Sequence, residues 1–379
     1  MTLSLSDDQV RYLRLRAQRL IPQPANDVTN VVHAVKELCG IQAQDARAAT
    51  LAVRVRSAGL VADDVEQARV QERSIIRTWG LRGTLHLLAT EDFGWLLSLL
   101  GPVFVAGDQR RRAELGLDED TCVKGISALR DILANQGLLT RAEIVEQLAI
   151  QTGMRLEGQA APHLLFRAAL EGIICLGPDR GTKPTYVLID DWIEGGARTL
   201  AFSRDKAYTE LARRYLAAYG PAEPDDLAAW SGLPMSEVRA AWKSIANELI
   251  DVEIAGRPAW MLKEHLTWLD EFPAPAPVVR LLPAFDTYLL GYRNRNLVVA
   301  SPYAKRINAG GGMIQPTLIV DGQAKGTWKL KRQKSSLDVV LELFEELAPE
   351  IQPALEVEIR DIARFLGVPA GSQGQPSSK

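Results

Sequence analysis

The sequence of 379 residues contains no run of 18 uncharged apolar residues, so it offers no membrane-spanning helix. Its opening, Met1-Thr2-Leu3-Ser4-Leu5-Ser6-Asp7-Asp8, lacks the basic segment and apolar core of a secretion signal. A cytoplasmic, nucleoid-associated location is expected. Cysteine is scarce: Cys39, Cys122 and Cys175 are odd in number, far apart and set in apolar surroundings, as reduced core residues are. The four histidines, His33, His86, His163 and His265, form no metal-spaced pair and no Cys-x-x-Cys is present, so no metal site is expected. Gly177-Pro178-Asp179-Arg180-Gly181-Thr182-Lys183 has its glycines four apart where a phosphate loop needs five, and no Gly-x-Ser-x-Gly elbow occurs. Nucleotide-dependent and serine-hydrolase chemistry are set aside, and no cofactor is expected.

Positive charge is lacking too. The formal net charge is −3, which taken alone argues against a nucleic-acid partner. The sum hides a segregation. Arg293, Arg295, Lys305, Arg306, Lys325, Lys329, Lys331, Arg332 and Lys334 share their segment with one acid, Asp321. From Leu337 to Asp361 the balance reverses, with only Arg360 opposing eight acids. Either these are two solvated faces of unrelated elements, or the basic run is a phosphate-gripping surface.

What the sequence has is apolar content, at 47%, and a repeated order of elements; the length implies two to four domains. Helical patterns span residues 6–20, 29–38 and 48–55, with Pro22 and Pro24 ending the first and a short helix from Asp63 to Gln71. Two β-rich runs follow, Ser74–Gly80 and Gly83–Leu88. Helices then hairpin recur at 141–151, 159–171, 173–176 and 186–189, with Thr140 as the N-cap. They recur again at 223–230, 235–249, 252–254 and 259–262. Helix, turn, helix and two-stranded wing is the winged-helix order. The Pro273-Ala274-Pro275-Ala276-Pro277 run marks a boundary. Beyond it lie strand candidates at 278–282, 297–300, 313–320 and 325–330, expected to form a small sheet or open barrel capped by acidic helices after Ser335. The fold class expected is α+β and helix-rich: three tandem winged-helix units around a cleft (1–120, 121–197 and 198–272), a C-terminal small β-sheet or barrel domain (273–368) and a disordered tail (369–379).

Three segments stand out: Gly40-Ile41-Gln42-Ala43-Gln44-Asp45-Ala46-Arg47, Arg82-Gly83-Thr84-Leu85-His86-Leu87, and the run from Leu282 to Arg293 that contains Phe285-Asp286-Thr287-Tyr288. With Pro316–Gly322 and Gly326-Thr327-Trp328, they resemble the winged-helix DNA glycosylases of the AlkZ and YcaQ type, over about Gln9 to Gly367. The resemblance implies three winged helices in a C shape with a C-terminal β-domain, acting on N7-alkylated purines and, in some members, on interstrand crosslinks. It also implies that Gln42 and Gln44 are the catalytic Gln-x-Gln pair. The partner implied is double-stranded DNA carrying such lesions, bound by a monomer.

The pair makes chemical sense. Cleaving an N-glycosidic bond passes through an oxocarbenium-like sugar, and a neutral base needs an acid to leave. Two amides cannot protonate a leaving group; they position water and offer dipoles. A purine alkylated at N7 is already cationic and leaves unaided. Asp45, beside the pair, is read as the cap of the next helix. His86 is a structural histidine or a group near the lesion. Asp286 and Tyr288 supply buried hydrogen bonds or an active-site rim. Arg293, Arg295, Lys305, Arg306, Lys325, Lys329, Lys331 and Arg332 are candidates for DNA contacts, with Arg141 or Lys243 assisting near the recognition helices. The competing class is a winged-helix transcriptional regulator without chemistry, which is usually dimeric with one recognition unit per chain.

Overall fold

The computed structural model describes residues 3–21, 30–196, 202–332 and 336–369. Their contacts divide the chain into two compact units, Gln67–Tyr208 and the discontinuous pair Met1–Glu66 with Thr209–Lys379. No helix among the described residues is long and apolar enough to cross a membrane. The fold is α+β and rich in helix.

In the unit Gln67–Tyr208, the β-branched run of Ile75–Trp79 pairs antiparallel with Leu85–Ala89, from Ile75 opposite Ala89 to Trp79 opposite Leu85. Helices Thr90–Gly107 and Glu119–Gln136 follow. Helix Arg141–Thr152 begins with a reciprocal capping box, in which Thr140 and Glu143 each satisfy the other's backbone amide, and stops at left-handed Gly153. Helix Ala160–Leu170 leads into the hairpin of Ile174–Leu176 with Thr185–Leu188. Leu129, Ile132, Leu133, Ile144, Leu148, Leu164, Leu165 and Ile174 interlock as its buried core. Each such side chain contributes about 1.5–3 kcal/mol by leaving water.

The other unit opens with strand Leu3–Leu5, parallel to Leu249–Ile254. Helix Asp7–Ala17 starts at a Ser6/Gln9 capping box. Helices Pro224–Ser231 and Met235–Ser244 precede the hairpin of Leu249–Ile254 with Arg257–Leu262. Its two-residue reversal uses Ala255 and Gly256, both at positive φ as such a turn demands. The C-terminal part of this unit is a four-stranded antiparallel sheet in the order Val279–Leu282, Thr317–Val320, Gln323–Arg332, Leu337–Leu343. It is an open sheet and not a closed barrel.

Three expectations need correcting. The acidic stretch after Ser335 is not wholly helical: Leu337–Leu343 pairs with Gln323–Arg332 over seven residues, and only Gln352–Phe365 is the acidic helix. Val339, Val340 and the alternation with Asp338 and Glu342 favour the strand. Residues 297–300 form a turn, since Val298 and Val299 both donate to the Arg295 carbonyl. The 313–320 run splits into Met313–Ile314 and Thr317–Val320 because Pro316 has no amide hydrogen for a continuous ladder. Pro22, Pro24, Thr29 and the tail beyond residue 369 lie outside the described residues.

Candidate active site

Gln42 and Gln44 lie where helix Val31–Glu37 hands over to helix Ala46–Arg54. Asn30 caps the first, its side-chain oxygen accepting from the amides of Val32 (2.7 Å) and His33 (3.3 Å). Past its end the chain reverses through Cys39 at φ 54° and Gly40 at φ 114°, whose amides donate to the carbonyls of Lys36 and Val35, each at 3.0 Å. A side chain at the Gly40 φ is strained, so glycine suits the position. The backbone then extends through Ile41–Gln42. Ile41 and Ala43 anchor the segment in the core at 1% and 0% exposure.

The two amides differ. Gln42 is 7% exposed, whereas Gln44 is exposed and its side chain hydrogen-bonds to none of the described residues. Asp45 is not available beside them: its carboxylate accepts from the amides of Arg47 (2.9 Å) and Ala48 (3.1 Å) and caps the next helix. No group of three His, Cys, Asp or Glu able to hold a metal occurs among the described residues.

A tyrosine that sequence reading did not single out holds the handover. The buried Tyr219 hydroxyl donates to the Leu38 carbonyl at 3.1 Å, four residues before Gln42. Its ring is fixed by Tyr215 (centroids 5.1 Å apart), Trp230 (5.2 Å) and Tyr292 (6.2 Å). A Cβ on Gly291 would lie 2.4 Å from the Tyr219 ring, so only glycine lets the two approach. Burial raises the Tyr219 pKa, and the phenol stays a donor. The one sequence signal was the density of aromatic residues in 208–230 beside Gly291-Tyr292.

Asp286 and Tyr288 are 1% and 0% exposed, and the structure gives both buried hydrogen bonds. Asp286 receives a two-pronged bond from Arg56, at 2.8 and 2.7 Å, while its Oδ1 accepts from the Tyr288 amide at 2.9 Å. Arg56 also donates to Gln18 Oε1 (3.2 Å) and Thr287 Oγ1 (3.0 Å). Tyr288 donates to the Gly322 carbonyl at 3.2 Å. A second buried cluster sits nearby in the fold, where Arg54 binds Glu358 at 3.2 Å and Asp361 at 3.1 Å.

His86 belongs to the Gln67–Tyr208 unit and is 1% exposed. Its Nδ1 lies 2.9 Å from the Thr84 carbonyl, an acceptor, so Nδ1 carries the hydrogen and Nε2 is left as an acceptor. Burial, reinforced by Arg82, pushes its pKa down to about 3, and the ring is neutral at physiological pH.

The predicted DNA-contacting cations are unequally available. Arg293 pairs with Asp225 at 2.6 Å, and half-buried Arg295 donates to the Leu289 carbonyl at 2.6 Å. Arg306 pairs with Glu342 at 2.8 Å and lies over the Phe344 ring. Lys325 donates to Gln323 at 3.1 Å. Lys305, Lys329 and Lys331 are exposed, with Lys331 opposite Asp338 in the ladder, and the Arg332 backbone lies opposite Leu337.

Comparison with known proteins is consistent across three measures. The family model described as "DNA glycosylase AlkZ-like" matches residues 35–365. A relative from Streptomyces sahachiroi named "Interstrand DNA cross-link repair glycosylase" is 30% identical over 371 residues, which are 95% of this chain and 96% of that one. The solved structure "Streptomyces sahachiroi DNA glycosylase AlkZ" superposes with a TM-score of 0.82 at 29% identity, covering 98% of this chain and 100% of that one.

Proposed function

From the premise that the chain belongs to the AlkZ-like family and is a DNA glycosylase, we propose that it hydrolyses the N-glycosidic bond of purines made cationic by alkylation at N7. The relative's name gives interstrand DNA cross-links as what it repairs, and cross-links joined through such purines fall within the same chemistry. The protein works as a monomer on double-stranded DNA, its helix-and-hairpin sets serving as winged-helix modules.

The observation that carries this reading is the disposition of the polar groups around Gln42-Ala43-Gln44. One amide is free and exposed, the other is largely buried, and the adjoining Asp45 carboxylate is committed to a helix cap. Such a site supplies dipoles and hydrogen bonds without a proton donor. A leaving group that already carries positive charge needs none. The C1′–N9 bond breaks with its electron pair going to the base, which departs neutral. Water, held by the Gln44 amide, adds its oxygen to C1′ and loses a proton to solvent. Gln42 orders the segment and presents its dipole to the developing sugar cation. No lysine is assigned as nucleophile, so the product is an abasic site without strand cleavage.

The test is single-turnover release of N7-methylguanine from a duplex carrying one such base, followed by alkaline cleavage at the abasic site. Release above spontaneous depurination is expected, with Gln44→Ala and Gln42→Ala each losing most of it while duplex affinity stays within a few-fold. Binding without release by the unmodified protein, or full activity in both variants, overturns the reading.

A further inference from the structure

The Gln67–Tyr208 unit carries a groove with a volume of about 850 Å³ that no step above uses. It lies between the start of helix Arg141–Thr152, the start of helix Ala160–Leu170 and the hairpin strand Thr185–Leu188. Its floor is apolar, with Val145, Leu156, Ala161, Pro162 and Pro184. Arg141, Lys183 and Gln159 are exposed on its rim.

Three features mark this groove as built for an anion-bearing ligand. First, no acidic side chain lines it. Glu143, the acid closest to Arg141 in sequence, is turned away to the Thr140 amide at 2.7 Å and to Arg180 at 2.6 Å. Second, the side chains of Arg141 and Lys183 have neither an ion pair nor a hydrogen bond among the described residues, unlike most arginines of this chain. Third, Tyr186 lines the groove at 7% exposure, and its hydroxyl has no hydrogen-bond partner among the described residues. The ring is buried while the hydroxyl itself is open to the groove, where it is free to donate to a ligand oxygen.

We propose that this groove is a second nucleic-acid contact, in which Arg141, Lys183 and the Tyr186 hydroxyl grip phosphodiester oxygens while deoxyribose covers the apolar floor. The ligand class follows from the composition. Two cations and two neutral donors, the Gln159 amide and the Tyr186 hydroxyl, match the oxygens of successive phosphates, and the carbon-rich floor matches the sugar between them. An acidic peptide satisfies the cations as well, and it is the outcome against which the proposal is tested. The inference rests on the DNA-binding part of the function above and is independent of the glutamine chemistry.

The experiment uses the full chain and an unmodified 21-base-pair duplex, titrated from 50 to 300 mM salt. Arg141→Ala with Lys183→Ala removes two exposed side chains that make no ion pair or hydrogen bond among the described residues, so folding is retained, as the thermal transition checks. Losing two phosphate contacts makes the slope of log affinity against log salt shallower by about 1.8, and weakens binding roughly tenfold to fiftyfold at 0.1 M salt. Tyr186→Phe, which keeps the ring, weakens it a few-fold. An unchanged affinity and slope in the double variant overturns the proposal. So does tighter capture of a poly-glutamate peptide than of the duplex, abolished by the same two substitutions. If the unmodified protein releases no N7-methylguanine yet the salt slope still changes, the glycosylase chemistry fails and the groove stands.

Discussion

Within one unit, Asp286 and Gln44 begin alike, as polar residues of segments that the sequence marks out, and end in opposite environments. Asp286 is sealed from water, with both carboxylate oxygens taken by Arg56 and the pair tied to Gln18 and Thr287. Gln44 stands in solvent with no side-chain bond to any described residue. The difference teaches where this protein keeps its charge. Carboxylates near the candidate site close helices or neutralise buried arginines, and the neutral Gln44 amide is left uncommitted, as the proposed mechanism requires. That division suits a leaving group that brings its own positive charge, because a free carboxylic acid would have nothing to protonate.

The largest expected effects form a crossed pair that can break this comparison. Asp286→Asn leaves Arg56 buried without its counter-charge and costs about 3–5 kcal/mol of stability, while the folded fraction keeps its excision rate. Gln44→Ala leaves the thermal transition in place and lowers excision by about 10²- to 10³-fold, the range seen when one preorganised donor is lost. Differential scanning calorimetry and single-turnover release on both proteins check this. A catalytic loss from Asp286→Asn at full stability, or a stability loss from Gln44→Ala, reverses the assignment.

The helices and hairpins are legible in the sequence because local rules fix them, whereas Gln42 and Gln44 stand out only through the family resemblance. Ser6 and Thr140 show their capping boxes in sequence, and Asp45 shows its cap two residues before Arg47. Sequence reading could not separate Asp286 from an active-site rim, since the partner that decides the matter, Arg56, lies 230 residues away. Tyr219 stays hidden for the same reason: its partner is the backbone carbonyl of Leu38, 181 residues distant. Leu337–Leu343 is a different case, since its partner strand Gln323–Arg332 is its neighbour in sequence and it is the acidic composition that reads as helix.

A smaller effect sharpens the contrast between structural and chemical polar groups. His86 and His265 have pKa values lowered to about 3 and about 4, both chiefly by burial. The unfolded chain therefore binds more protons than the folded one below about pH 6.5. Stability is complete above that pH and falls as pH drops toward 4, on the order of 1.4 kcal/mol per unit for each histidine. His86→Gln flattens part of this slope in thermal melts between pH 5 and 7.5. A melting temperature independent of pH over that interval contradicts the buried neutral histidines.

The smallest effect probes Tyr219 as a positioning residue. Tyr219→Phe removes one hydrogen bond, worth about 1 kcal/mol, and is expected to slow excision a few-fold with duplex affinity unchanged. In a Gln42→Ala background it adds nothing further to the loss of rate. Additive losses in the double variant would show that the hydroxyl acts elsewhere than on the handover to Gln42.

The central claim is that the amide pair serves only a leaving group already charged. It is tested most directly by single-turnover excision from matched duplexes carrying either N7-methylguanine or the neutral lesion 8-oxoguanine, from pH 5.5 to 8. Release of N7-methylguanine alone, at a rate flat with pH, is the predicted result. Comparable release of 8-oxoguanine, or a rate that rises as pH falls, contradicts the claim, because either requires a proton donor at the site.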